Sequence, residues 1–540
     1  MICVGPFEYY PTPLHIVYQI RRADMEVTMQ TFKTSLKNNQ NDLQLTLEDD
    51  FNVPDAKPDV DVVIKLLGTV TIHKILPMNQ KYLVKGALHF QMLYSSKEGR
   101  CPVQTMNGEL PFEETVNIEG TLSKEEIFCQ WDIEDIQASL INSRKVNVSA
   151  VVCFHLFTLN QAEETVVSEI EEDLELPGKK KNMTVLQLFA SKMDTLRIKD
   201  EVSLPLGKEN AGELLYSDLR FMERDEKIQA DTISIRGIVR TFVLYLTDGE
   251  DKRLAYYEVD LPVNGTLSVP GLCEGMILEI DVNLTNPDIQ FKEDADGENR
   301  ILDVEAVLQC DIKAYEEEDR EVLEDVYSTR SKLMVQRKRM TYPTLLLKNS
   351  SKVRVMESIP IKSGSPPILQ ICNGDAVIRV EEQKIVENGI VIEGNLGVQI
   401  LYLTEEDDRP LAIGRGDIPF SQIMEVKGIS PKSRYELRSY LDQLSIVPIS
   451  EREAEVRATI CLEALVFDEQ EADVILSLEE AGGLIEERAK LPGITGYIVG
   501  AGDSLWDIAK KFYTTMESIA ELNALETDTL QEGQKLVICK

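Results

Sequence analysis

The sequence predicts a mainly β protein of three repeated antiparallel β-sandwich-like domains followed by a small βααβ domain, and three observations carry that prediction. A ten-residue stretch recurs at Lys85–Tyr94, Arg236–Tyr245 and Glu393–Tyr402, each copy with glycine second, apolar or β-compatible residues at alternate positions, and Leu-Tyr at its end. Landmarks beyond the stretch keep one spacing: Tyr94, Tyr245 and Tyr402 are 151 and 157 residues apart, as are Pro111, Pro262, Pro419 and Gly120, Gly271, Gly428. Short alternating runs punctuated by turn residues fill the chain up to residue 480, whereas helical spacing is concentrated after Gly496.

Taken in order, residues 1–39 are a weakly patterned extension with Pro6, Pro11 and Pro13, in which Val27 to Leu36 reads as a strand or a short helix. The repeats are expected at 40–176, 177–326 and 327–480. Val53-Pro54, Leu204-Pro205 and Ile359-Pro360 read as one landmark in three copies, since proline forces an extended predecessor and stops any helix. In the recurring strand, Leu88, Phe90, Met92 and Tyr94, then Val239, Thr241, Val243 and Tyr245, then Leu396, Val398, Ile400 and Tyr402 share one face, which is expected to be buried. The charged turns that follow (95–99, 247–251 and 404–408) have hairpin chemistry. Their acidic clusters lack the alternating oxygens and terminal glutamate of a calcium loop, so no metal ligands are expected. Each repeat closes on a long strand holding Ala150, Ala306 or Ala458, spaced 156 and 152 residues apart; nearby, Cys153, Cys310 and Cys461 read as small core hydrophobes.

Composition bounds the function. The chain carries 93 acidic against 57 basic residues, a net charge of −36, which excludes a general nucleic-acid binder because phosphate neutralisation needs a basic surface. Nine cysteines with no CxxC and no histidine at ligand spacing fit a reduced compartment. The N-terminus shows no basic-then-apolar leader and no apolar run reaches about 18 residues, so a cytoplasmic protein is expected, with membrane contact only indirect or electrostatic. The four histidines, His15, His73, His89 and His155, all precede residue 156, and there is no phosphate loop, GxSxG or HExxH; no catalytic residue, cofactor or enzyme activity is expected. Two basic patches, Lys179–Lys181 and Arg330, Lys332, Arg337, Lys338 and Arg339, read as solvated linker and hairpin positions, or as a contact with an anionic lipid surface or acidic partner.

Residues 481–495 continue a charged linker that begins at Glu479, and the character changes at 496. Tyr497-Ile498-Val499 is a strand, 500–502 a turn, and Asp503 or Ser504 the N-cap of a helix carrying Leu505, Ile508, Ala509 and Phe512. Thr514 with Glu517 has the spacing of a capping box before a helix with Ile519 and Leu522, and Leu536-Val537-Ile538 is the final strand. Tyr-Ile-Val, Gly502-Asp503-Ser504-Leu505-Trp506-Asp507-Ile508-Ala509, Asn523 and Gly533-Gln534-Lys535-Leu536 together resemble a LysM domain over 496–540. Glu532 and Cys539 depart from the common pattern where prolines often stand. The upstream repeats resemble the SPOCS domain family, and the combination is similar to SipL-type spore coat morphogenetic proteins.

That resemblance, not the composition, implies a function. LysM domains bind N-acetylglucosamine glycans in a shallow groove between the loop after the first strand and the loop after the second helix. Here that implies Gly502, Asp503, Ser504, Leu505, Asn523, Leu525, Glu526, Thr527, Asp528 and Leu530. In the morphogenetic family the module is implied to engage a protein, the coat basement-layer ATPase at the forespore surface, alongside other coat proteins. Two classes of function therefore stand: a non-enzymatic coat assembly protein in the mother-cell cytoplasm, and a peptidoglycan-binding wall protein. Trp506, Leu505 and Ile508 are expected to pack the two-helix core.

Overall fold

Residues apolar at every second position can bury a single face only when the backbone is extended and paired, and this chain resolves into long antiparallel strands. The computed structural model describes residues 18–19, 27–78, 81–97, 101–117, 127–170, 176–250, 252–484 and 486–539. Pro6, Pro11, Pro13, Cys3, His15, the turn residues Glu98, Gly99 and Asp251, and the landmark Gly120 lie outside them.

Repeat one comprises β2 (Val27–Asn52), β3 (Val62–Met78), β4 (Lys81–Ser95), β5 (Val103–Asn117), β6 (Ile127–Asn142) and β7 (Lys145–Ile170), with β1 (Tyr18–Gln19) on the edge of β2. Repeat two comprises β8 (Gly178–Ser203), β9 (Ala211–Gln229), β10 (Thr232–Thr247), β11 (Leu254–Ser268), β12 (Ile277–Glu293) and β13 (Asn299–Val326). Repeat three comprises β14 (Ser331–Pro360), β15 (Gln370–Val386), β16 (Gly389–Leu403), β17 (Leu411–Glu425), β18 (Arg434–Ser450) and β19 (Glu453–Leu484). In each, the second to fourth strands form a meander centred on the recurring strand (β4, β10 or β16), and the sixth strand runs between the first and fifth in another sheet. The two sheets share one core: Leu88, Phe90 and Met92 pack with Val146, Val152 and Phe154.

The alternation is realised, since all twelve inward positions of the recurring strands are at most 2% exposed. Each terminal tyrosine donates its hydroxyl to a carbonyl 36 residues earlier, of Pro58, Glu209 or Pro366. The second-position glycine answers to a bulge in the facing strand: a Cβ on Gly86, Gly237 or Gly394 would lie 2.4, 2.8 or 2.3 Å from the carbonyl oxygen of Thr71, Met222 or Arg379. Pro111, Pro262 and Pro419 lie on β5, β11 and β17, edge strands of their meanders, where a missing N–H costs no ladder bond.

Two readings are corrected. Ile359-Pro360 does not hold the place of Val53-Pro54 and Leu204-Pro205; Ile361 does, because its N–H bonds the Arg452 carbonyl as Val53 and Leu204 bond those of Arg144 and Arg300. Cys310 faces the core of repeat two, but Cys461 packs on the other side of its strand and Cys153 is only half-buried, since a one-residue offset reverses the face.

The three repeats close around a pseudo-threefold junction. Leu93, Leu244 and Leu401, the leucines of Leu-Tyr, meet in one cluster with Ile64, Leu215 and Cys372, using the face opposite the core of each recurring strand. Beside it Lys65, 2% exposed, faces Asp375 at 3.7 Å and the Tyr216 ring at 5.1 Å, while Arg220 holds Asp375 at 2.7 Å. Further along, the buried Glu279 accepts from Tyr315 (3.0 Å), Lys313 (3.3 Å) and Arg438 of repeat three.

Past the sandwiches, the pairs β2–β7, β8–β13 and β14–β19 continue as three ribbons that form a stem. Phe32 and Val166, Met183 and Val185, and Tyr342 and Val474 supply its core. Apart from Arg330, which stands in the connection just before β14, both basic patches lie on these strands rather than in linkers, and several of their charges are paired: Lys180 meets Glu169 and Glu321, Lys338 meets Glu164, and Arg337 meets Asp325. The ladder β2–β7 begins before residue 40, and β19 continues to Leu484, because each strand stays paired along the whole ribbon. Helix α1 (Glu486–Lys490) then leads to β20 (Ile494–Ile498), α2 (Leu505–Phe512), α3 (Met516–Leu522) and β21 (Lys535–Cys539), the last pairing with β20.

Candidate functional site

The C-terminal module is small enough that its helices depend on caps and a few buried side chains. Ser504 is the N-cap of α2, its Oγ accepting from Asp507 N at 3.1 Å. Thr515, rather than Thr514, caps α3 and accepts from Ser518 N. Thr514 is spent elsewhere: its N–H closes α2 on the Ala509 carbonyl and its own carbonyl accepts the Tyr327 hydroxyl at 2.8 Å. Leu505, Ile508, Ala509, Ile519, Leu536 and Ile538 form the core, with Leu525 and Leu530 packed against it.

The ten groove residues divide by role. Asp503 braces the turn, its carboxylate accepting from Gly500 N and the Tyr497 hydroxyl, both at 2.8 Å; these bonds hold its pKa below the usual carboxylate range. Asn523 ties α3 to β21 by donating to the Ile519 and Val537 carbonyls and accepting from Val537 N. Leu505 is 2% exposed and offers a ligand no surface. Gly502, Ser504, Glu526, Thr527 and Asp528 are exposed, so the two loops present backbone and short polar side chains to solvent. Among the described residues no group of three or more His, Cys, Asp or Glu is placed to hold a metal ion.

Other residues of the module are occupied. Trp506 stacks edge-on against Tyr327 of the stem (5.0 Å, 74°) and donates its indole N–H to Asp325 at 2.8 Å. Lys510 reaches the same Asp325 oxygen at 2.6 Å, and Arg337 of repeat three reaches the other. Burial pushes the Asp325 pKa up, but the Lys510 and Trp506 bonds and the Lys510 and Arg337 charges outweigh it and leave the carboxyl below its ordinary value. Trp506 thus closes an interface as well as a core. Sequence reasoning missed Asp325 and Tyr327. Their signal was a break in the repeats, since the 156 and 152 spacing sets Glu171 and Glu479 where Tyr327 stands.

Comparison with known families agrees with this division of the chain. The family described as SipL, SPOCS domain matches residues 59–141, 210–292 and 367–449, one segment in each repeat. The LysM domain family matches residues 497–538. No solved structure matches the chain. Each matched SPOCS segment runs from just before the second strand of its repeat to the fifth, leaving the ribbon strands outside. The chain is a protein of three SipL-type SPOCS domains and a C-terminal LysM domain.

Proposed function

We propose that this protein is a non-enzymatic spore coat assembly protein that links coat layers to the forespore surface through protein contacts, with the LysM domain as its recruiting module. Its three SPOCS domains and its LysM domain fit a sporulation coat protein built from binding domains. The observation that carries the finer reading is the orientation of the LysM domain: Trp506, Lys510 and Thr514 are engaged by the stem, while Gly502, Ser504 and Glu526 to Asp528 stay exposed. A module anchored by some residues and exposed at others suits capture of a large partner, and the family resemblance makes the coat basement-layer ATPase the first candidate. No helix of the described residues is long and apolar enough to cross a membrane.

The second reading, binding of an N-acetylglucosamine glycan, rests on the same loops. Co-precipitation from sporulating cells separates the two. Asp528→Lys with Glu526→Lys should abolish recovery of the coat ATPase while the circular dichroism melt is unchanged. Undiminished recovery would remove the loops from the protein contact, and retention on purified peptidoglycan, lost in the same variant, would favour the glycan.

A further inference from the structure

Between repeats two and three runs an open crevice of about 540 Å³, remote from the LysM domain and with no part in the reading above. Its repeat-two wall offers Arg240, Met222 and Ile238, and its repeat-three wall Arg354, Arg457 and Met356. Three guanidiniums therefore face a space that holds one carboxylate, Glu223, in a chain of net charge −36. Arg240 is held by Asp260 (2.8 and 3.0 Å) and donates to the Leu444 carbonyl, so it also fixes the two walls together. Arg457 pairs along its own strand with Glu455, and Arg354 has no hydrogen-bond or ion-pair partner among the described residues.

Packing of the repeats does not require the charge of Arg354 or Arg457. Register puts Arg354 opposite Thr459 and Met356 opposite Arg457, so the two arginines are diagonal neighbours. The same places in repeat two hold Arg197 and Glu305, an ion pair at 2.6 Å, and in repeat one Thr46 and Ser149. Arg240 likewise corresponds to His89 and Gly397. Where repeat two has an attractive pair, repeat three has two like charges, which leaves a positive site lined with apolar side chains. Met356, 64% exposed, is the largest of these.

We propose that this crevice docks an acidic, partly apolar segment of another protein, its carboxylates on Arg354 and Arg457 and its apolar side chains on Met356 and Ile238. Charge complementarity makes the selection, because an acidic segment is repelled by most of the remaining surface. The probe is a fluorescein-labelled decapeptide of alternating Glu and Leu, titrated by anisotropy with the full chain, against its Gln-for-Glu counterpart. The Glu peptide should bind saturably, less tightly as salt rises. Arg354→Gln with Arg457→Gln should weaken it about ten-fold or more, as should the Gln peptide, while Arg197→Gln changes nothing. Arg354→Gln alone removes no contact of the fold, so it must weaken binding even if the double variant melts early. Absence of saturable binding, equal affinity for both peptides, or an unaffected Arg354→Gln would each overturn the proposal.

Discussion

His155 shows how one side chain joins strands of repeat one: Nδ1 lies 2.8 Å from Asp42 on β2 and Nε2 3.0 Å from Asp132 on β6. The bond with Asp132 and then that with Asp42 raise its pKa to about 9 against the opposing effect of burial. A raised folded-state pKa contributes stability that is complete below the unfolded value of about 6.5 and is lost as pH climbs through about 9. The urea midpoint should therefore fall between pH 6.5 and 10, and His155→Gln should flatten that part of the profile; an identical slope in the variant would refute the assignment. At Asp325 the sign reverses. A depressed carboxyl pKa gives stability present above about 3.9 and lost as pH falls through the folded value. Asp325→Asn should cost the LysM contact about 1.5–3 kcal/mol, seen as faster proteolysis within residues 485–495 with the repeats intact.

At the scale of elements, caps and ribbons decide what the LysM domain does. Thr515→Ala should cost about 1 kcal/mol through the lost bond to Ser518 N, whereas the sequence pattern alone would have directed that substitution to Thr514. Trp506→Ala is expected to release the module from the stem and loosen its core together, at about 3–5 kcal/mol. Wild-type protection of residues 485–495 retained in that variant would contradict the shared role. The recurring strands were legible because period-2 alternation is a local property, and the helices because capping residues and apolar spacing are local too. Which of the adjoining threonines caps α3 was not, since the backbone at the end of α2, where the Thr514 N–H bonds the Ala509 carbonyl, places Thr515 as the cap.

For the whole molecule, the closed junction predicts cooperativity among the repeats. Lys65 is buried, Asp375 is largely so, and they belong to repeats one and three, so Lys65→Met, which leaves Asp375 with Arg220, should cost about 1–3 kcal/mol. Gly394→Ala drives a Cβ against the Arg379 carbonyl and the Phe420 ring and should cost about 1–3 kcal/mol. Although the substitution lies in repeat three, unfolding reported by Trp131 fluorescence in repeat one should shift with it. A repeat-one transition left in place would show that the repeats unfold independently.

Features that depend on neighbours along the chain were readable from the residues: three copies, the buried face of each recurring strand, the hairpin turns and the βααβ module. The side chains that join these units were visible but carried no sign of a partner. Leu93, Leu244 and Leu401 read as an ordinary Leu-Tyr ending, Lys179 to Lys181 and Arg337 to Arg339 as exposed charge, and Trp506 as core. Packing of the folded chain is what brings the leucines to one junction, pairs Lys338 with Glu164 across the stem, and sets Trp506 on Asp325. Periodicity records which way a side chain points relative to its own backbone, whereas these contacts exist only once distant segments of the chain have paired and packed.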